Sequence, residues 1–187
     1  MSSPIHDQRK LKIAYHETGH AVMALLCQQG IKSVSLKEMD SPKGTDKYYG
    51  STILEPFEQN ATLTINELTR RVMISLGGYA SEILLLGGAG IGGDDLTSAV
   101  GWIEAMMQSE DFRAMAARLP APDPGVLDDL VANPMIRACV DYQVRLCVNE
   151  LGQFKRPIQQ VAVKLYERDE LSGHEFADLF NSFAQAT

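Results

Sequence analysis

Apolar and polar positions alternate along the chain with periods that change from segment to segment, and each period predicts an element. From about Arg9 to Gln29 the residues favour helix. After His20 the run Ala21, Val22, Ala24, Leu25 and Leu26 is apolar nearly all round, so the C-terminal half of that helix is expected to be buried. Gly30 reads as a stop, and Ile31 to Met39 then alternates apolar and polar residues as a half-buried strand does. A stretch rich in Ser, Pro, Gly, Asp and Lys follows, and Tyr48 to Leu54 has the pattern of a second strand. Together these predict a hairpin with a mobile, polar connection.

Thr64 followed by Glu67 is a capping box, and Leu68, Val72, Leu76, Ala80 and Ile83 recur behind it at helical spacing, which predicts a long helix ending near Gly87. Gly87 to Gly93 forms a glycine-rich loop. Leu96, Val100, Ile103 and Met107 then mark the apolar face of a third helix. Leu119 to Gly125 is a Pro-rich break. Asn133 before Pro134 signals the start of a helix reaching about Leu151, Pro157 suits the first turn of another, and Ser172 with Glu175 caps a last one. The chain is expected to be mainly α-helical with a small β-hairpin or sheet beside its first helix, as one domain over residues 1–187 in which residues 1–9 are a flexible tail.

Composition narrows the function. The chain is 187 residues long and 45% hydrophobic, enough to bury a sizeable core. A formal net charge of −7, with no basic cluster longer than Arg70-Arg71, argues against nucleic acid as a partner. Cys27, Cys139 and Cys147 are too few and too irregularly spaced for a disulfide framework or a thiolate metal site, so they read as buried thiols in a reducing compartment. The N-terminus lacks the apolar core of a secretory signal, and no stretch is long and apolar enough for a membrane span. A cytoplasmic location is expected.

The strongest chemical signal is His16-Glu17-Thr18-Gly19-His20, an HExxH motif. On a helix its two histidines lie one turn apart on one face, where both imidazoles reach one ion, and Glu17 lies beside them to take a proton from water that zinc has acidified. A catalytic zinc needs a third protein ligand. His6 and His174 sit in a polar tail and a capping turn, so carboxylates are the better candidates: Glu82, Asp94 or Asp95.

Ala14 to Val22 resembles the extended HExGH signature of the peptidase domain of the FtsH family, the membrane-anchored AAA+ zinc proteases. Leu76-Gly77-Gly78-Tyr79-Ala80-Ser81-Glu82-Ile83-Leu84 is similar to that family's LGGRxAEE helix, and Gly93 to Ala99 resembles its SNDLxxAT segment. The stretch from Val140 to Phe176 is similar to its closing helices, so the resemblance covers nearly the whole chain. It implies an M41-like zinc peptidase fold with Zn2+ as cofactor, and it puts the family's third zinc ligand on Asp95. Glu82 and Asp94 are then expected around the ligands rather than among them. Asp94 stands where the family has asparagine and Tyr79 where it has arginine. The 187 residues contain no GxxxxGK[ST] phosphate loop, AAA+ module or membrane anchor, so the expected activity is one without its own ATPase.

Gly88-Ala89-Gly90-Ile91-Gly92-Gly93 satisfies GxGxxG, but the residues before it continue a helical period, and Asp94 and Asp95 would place negative charge where a pyrophosphate sits. No dinucleotide is expected. Tyr48 to Leu54, if it lies at a sheet edge, offers a place for an extended peptide to add as another strand, and Trp102, Met106 and Met107 read as core packing. The expectation is a zinc endopeptidase acting on unfolded or flexible proteins, with His16, His20 and Asp95 as ligands and Glu17 as general base. The alternative is a zinc-stabilised, non-catalytic adaptor working with a partner ATPase or protease. A peptidase that becomes active only as a homo-oligomer is a further variant, and the intact Glu17 favours an enzyme.

Overall fold

Residues Pro4–Leu26 form helix α1, the element around which the others gather. The computed structural model describes residues 4–40, 47–57, 63–88, 93–122 and 131–186. Strands β1 (Ile31–Asp40) and β2 (Lys47–Leu54) come next, followed by α2 (Ile65–Leu86), α3 (Gly93–Met106), α4 (Glu110–Ala116), α5 (Pro134–Gly152), α6 (Lys155–Arg168), β3 (Glu170–Ser172) and α7 (Gly173–Gln185). The protein is mainly helical, with one antiparallel sheet in the order β2-β1-β3.

Local signals act where the pattern placed them. The Thr64 side chain accepts from the Glu67 N–H while the Glu67 carboxylate takes the Thr64 N–H, and α2 closes at Gly87 in the left-handed region at φ 75°. Asn133 caps α5 with Pro134 behind it, and Ser172 with Glu175 repeats the capping box on α7. Three features differ from expectation. Helix α1 begins at Pro4 rather than near Arg9, and a missing proline N–H costs nothing in a first turn. The short helix α4, capped by Ser109, breaks no apolar period of its own. Strand β3 is three residues long and pairs Leu171 with Val34, so the hairpin is part of a three-stranded sheet; no three-residue period is readable in a sequence. The expected hairpin connection at 41–46, most of the GxGxxG stretch (89–92) and part of the Pro-rich break (123–130) lie outside the described residues. Ile83 to Leu86, which precede the glycines, are helical, so no strand leads into them.

Helices α1 and α2 cross at unusually close range. A Cβ on Gly19 would lie 2.4 Å from the Gly77 carbonyl oxygen and 2.4 Å from Ser81 Cβ, and one on Gly77 would lie 2.7 Å from the Gly19 carbonyl oxygen. Only glycine at both positions lets the backbones meet there. Ser81 fastens the crossing by donating to the Tyr15 carbonyl at 2.8 Å. Below it α5 and α6 supply Cys147, Leu151, Ile158 and Leu165 to a core shared with Met23, Leu76 and Ile103, all fully buried. The sheet lies on the other side of α1, with β1 central and β2 at one edge. Among the described residues no helix is long and apolar enough to cross a membrane.

Candidate metal centre

The helical turn between His16 and His20 carries both imidazoles to the α2 side of α1, where each is fixed from behind. His16 Nδ1 lies 2.6 Å from Glu82 Oε1, and Glu82, on α2, is only 1% exposed. His20 Nδ1 lies 2.7 Å from the Ile74 carbonyl oxygen. The Gly78 N–H also points at this nitrogen, at 3.3 Å, but a carbonyl oxygen can only accept, so the closer contact requires the hydrogen on Nδ1. The carboxylate behind His16 assigns its tautomer in the same way.

Both Nε2 atoms are therefore left with lone pairs, and they face each other at 3.0 Å. Asp95, in the first turn of α3, brings a third acceptor: its Oδ2 lies 3.0 Å from His16 Nε2 and 3.2 Å from His20 Nε2. Three acceptors at such separations repel unless a cation lies among them. Nitrogen and oxygen ligands of a tetrahedral zinc stand about 3.3 Å apart, within a few tenths of the spacing here, so the donor set fits that ion. Gly78 forms the wall: a Cβ there would come within 2.5 Å of His20 Nε2 and 2.6 Å of His16 Nε2. Any side chain at 78 would occupy the space between the imidazoles.

The electrostatics express the same demand for positive charge, which protons on the Nε2 atoms and a metal ion among the three acceptors are alternative ways to meet. Burial opposes a charge on His16, yet its bonds to Asp95 and Glu82 and the nearby Glu17 carboxylate outweigh that and push it up to about 10. His20 is raised too: burial opposes its charge, and Asp95 overcomes it. Burial alone would raise the Asp95 carboxyl, but the His20 charge and the bonds from both imidazoles hold it well below the usual carboxylate range.

Glu17 faces the sheet side of the same turn. Thr52 Oγ1, on β2, donates to Glu17 Oε2 at 2.9 Å and lies 3.1 Å from the Glu17 carbonyl oxygen. Gly50 has φ 88°, and a Cβ on it would lie 2.6 Å from Glu17 Oε1, so the strand passes directly over the carboxylate. Burial raises the Glu17 carboxyl, partly offset by the charges of His20 and His16.

The structure thus brings His16, His20 and Asp95 together, places Glu82 on His16, and sets Glu17 beside them against β2. Asp94 is exposed and makes no hydrogen bond or ion pair to the three, because one step along a helix turns a side chain about 100° away. His174 pairs with Asp178 at 3.0 Å on the exposed face of α7. The roles of Thr52, Gly50 and Gly78 at this site were not read from the sequence. Gly-x-Thr in a strand carries no general signal, although Gly78 lies within the Leu76 to Leu84 stretch that resembles a family helix.

Helices bearing HExxH and delivering a distant carboxylate to both imidazoles define a metallopeptidase class. Residues 3–114 match peptidase family M41, and the chain belongs to that family. It is 28% identical to ATP-dependent zinc metalloprotease FtsH 1 of Sorangium cellulosum (strain So ce56), over 92% of this chain and 30% of that protein. FtsH 2 of the same organism is 29% identical over 94% of this chain and 32% of its own length. FtsH 1 of Petrotoga mobilis (strain DSM 10674 / SJ95) is 33% identical over 55% of this chain and 16% of its own. The chain spans about a third of the length of the relatives that match it most fully.

Proposed function

We propose that this domain is a zinc-dependent endopeptidase that hydrolyses peptide bonds in unfolded or flexible proteins. His16, His20 and Asp95 hold the ion, and hydrolysis by the domain itself consumes no nucleotide. The observation that carries the reading is the convergence of three acceptor atoms at 3.0–3.2 Å, both imidazoles already committed outward through Nδ1, with a buried carboxylate alongside.

Bound zinc supplies Lewis acidity, polarising a carbonyl and lowering the cost of deprotonating a water beside it. Glu17 takes the proton from the attacking water. Its burial raises its affinity for that proton, so it retains it and then passes it to the leaving amine. Thr52 holds the carboxylate in place through this transfer, and Glu82 keeps His16 in the tautomer that leaves Nε2 free. Edge strand β2 runs past Glu17 and offers backbone groups to an extended peptide, a mode of binding that suits many sequences.

The test is hydrolysis of a quenched fluorescent unfolded protein by the zinc-loaded wild type and by Glu17→Gln, with metal content measured on both. Cleavage by the wild type, and a loss of about 10²–10⁴-fold in Glu17→Gln at unchanged zinc content, is the expected result. Zinc retained by both with cleavage by neither replaces the enzyme with the zinc-stabilised adaptor. Failure of either protein to bind metal removes the site assignment.

A further inference from the structure

A second cleft, of about 320 Å³, opens where the end of α1, the end of β2 and the first half of α2 meet, and Gln28, Glu55, Phe57, Arg70 and Arg71 help to line it. Its volume is at the low end of ligand pockets, roughly 300–1,000 Å³, which suits a side chain or a chain end. Arg71 is held in an unusual way. Its guanidinium lies 4.0 Å over the Phe57 ring and 5.0 Å from the Trp102 ring, its Nε is buried without a hydrogen-bond partner, and among the described residues no carboxylate pairs with it. Of the two acids lining the cleft, Glu67 spends one oxygen on the Thr64 N–H and hydroxyl at 2.7 Å, and the stem of Glu55 lies over Gly30. Gln28 adds an exposed amide, and Arg70 a second, exposed cation.

We propose that this cleft binds a carboxylate of the peptide being processed. A planar guanidinium held against two aromatic rings is pre-oriented for a planar carboxylate, and the acids at the rim disfavour a more highly charged phosphate. The position fits the reading of β2 as the peptide-binding edge, on which the inference rests. Thr52 touches Glu17, and Glu55 to Phe57 follow three to five residues further along the same chain. At about 3.3 Å per residue that is about 10–17 Å, so the carboxylate belongs to a residue three to five positions from the scissile bond.

The experiment uses zinc-loaded Glu17→Gln, which holds peptides without cleaving them, and labelled extended peptides in three forms. One carries a single Glu three to five residues from its centre, one carries Gln there, and both have amidated C-termini; the third carries Gln and ends in a free carboxylate at the same distance. Binding is read by anisotropy and by emission of Trp102, the single tryptophan of the chain, which stands against Arg71. A carboxylate-bearing form should bind about ten- to a hundredfold tighter than the amidated Gln form and alone should shift Trp102 emission. Preference for the Glu form identifies a side chain, and preference for the free end a chain terminus. Adding Arg71→Met should remove the preference, with circular dichroism confirming the fold. Equal binding of all three forms overturns the proposal without any variant at 71, as does a preference that survives Arg71→Met. Hydrolysis of the Gln form by the wild type is scored separately: its absence counts against the peptidase reading, while cleavage with no carboxylate preference removes only the cleft.

Discussion

The His16–His20 cleft and the α5–α6 layer are both buried, yet the groups they bury are opposite in kind. In the cleft His16, Glu17, His20 and Glu82 are at most 8% exposed and partnered through specific bonds. Beneath it, Cys147, Leu151, Ile158 and Leu165 fill space with almost no polar chemistry. Burial in the second region lowers free energy directly by removing apolar surface from water. In the first it costs free energy that hydrogen bonds and pairing of opposite charges must offset. A protein can hold such a cleft open because the layer below supplies the stability, so damage to the two regions should separate cleanly.

The largest effect is expected in the apolar layer. Leu151→Ala removes a fully buried side chain and should lower unfolding stability by about 2–5 kcal/mol in denaturant titration, while zinc bound per folded molecule stays unchanged. Loss of zinc without loss of stability would break the separation. Cys147 gives a chemical version of the same contrast. Burial, with Cys27 and Glu150 nearby, pushes its thiol from 9.0 up to about 12, so the protonated form persists to higher pH in the folded chain. At pH 8 its thiolate population should be roughly a thousandfold below that of an ordinary thiol, and iodoacetamide should label it only when the chain unfolds or the pH rises strongly. Rapid labelling of the native protein at pH 8 would show that the layer opens.

In the cleft the effects should fall on chemistry. Glu82→Ala strips the acceptor from His16 Nδ1 and should weaken zinc affinity or activity by about 10–100-fold, measured by competition with a chromophoric chelator and by peptide hydrolysis. An unchanged value for both would make Glu82 a packing residue. The smallest effect is expected at Thr52. Thr52→Val keeps the shape but loses the bond to Glu17, and kcat should fall about tenfold with little change in KM, whereas Thr52→Ser should retain the activity. A fall that Ser does not restore would assign the effect to strand packing.

Legibility in the sequence followed the range of the interaction. The HExxH pair was readable because residues four apart share a helix face whatever that helix packs against. The capping boxes at Thr64 and Ser172 and the stop at Gly87 were readable for the same reason, since each bond closes within a few residues. Asp95 was reached only through resemblance: the residues alone left Glu82, Asp94 and Asp95 open, and nothing local distinguishes the two aspartates until α3 is packed and one of them turns inward.

The start of α1 at Pro4 and the three-residue strand β3 went unread because the first lacks an apolar face strong enough to announce it and the second exists only through pairing with β1. Thr52 over Glu17, Gly78 against the imidazoles and Arg71 against Phe57 and Trp102 are contacts of the same sort. The sequence by itself determined the long helices, the caps at Thr64, Asn133 and Ser172, and the two histidines with their glutamate on one turn. The third acceptor, the contacts behind His16 and His20 and the cleft at Arg71 were decided by tertiary structure, because each joins elements that meet only once the chain has folded.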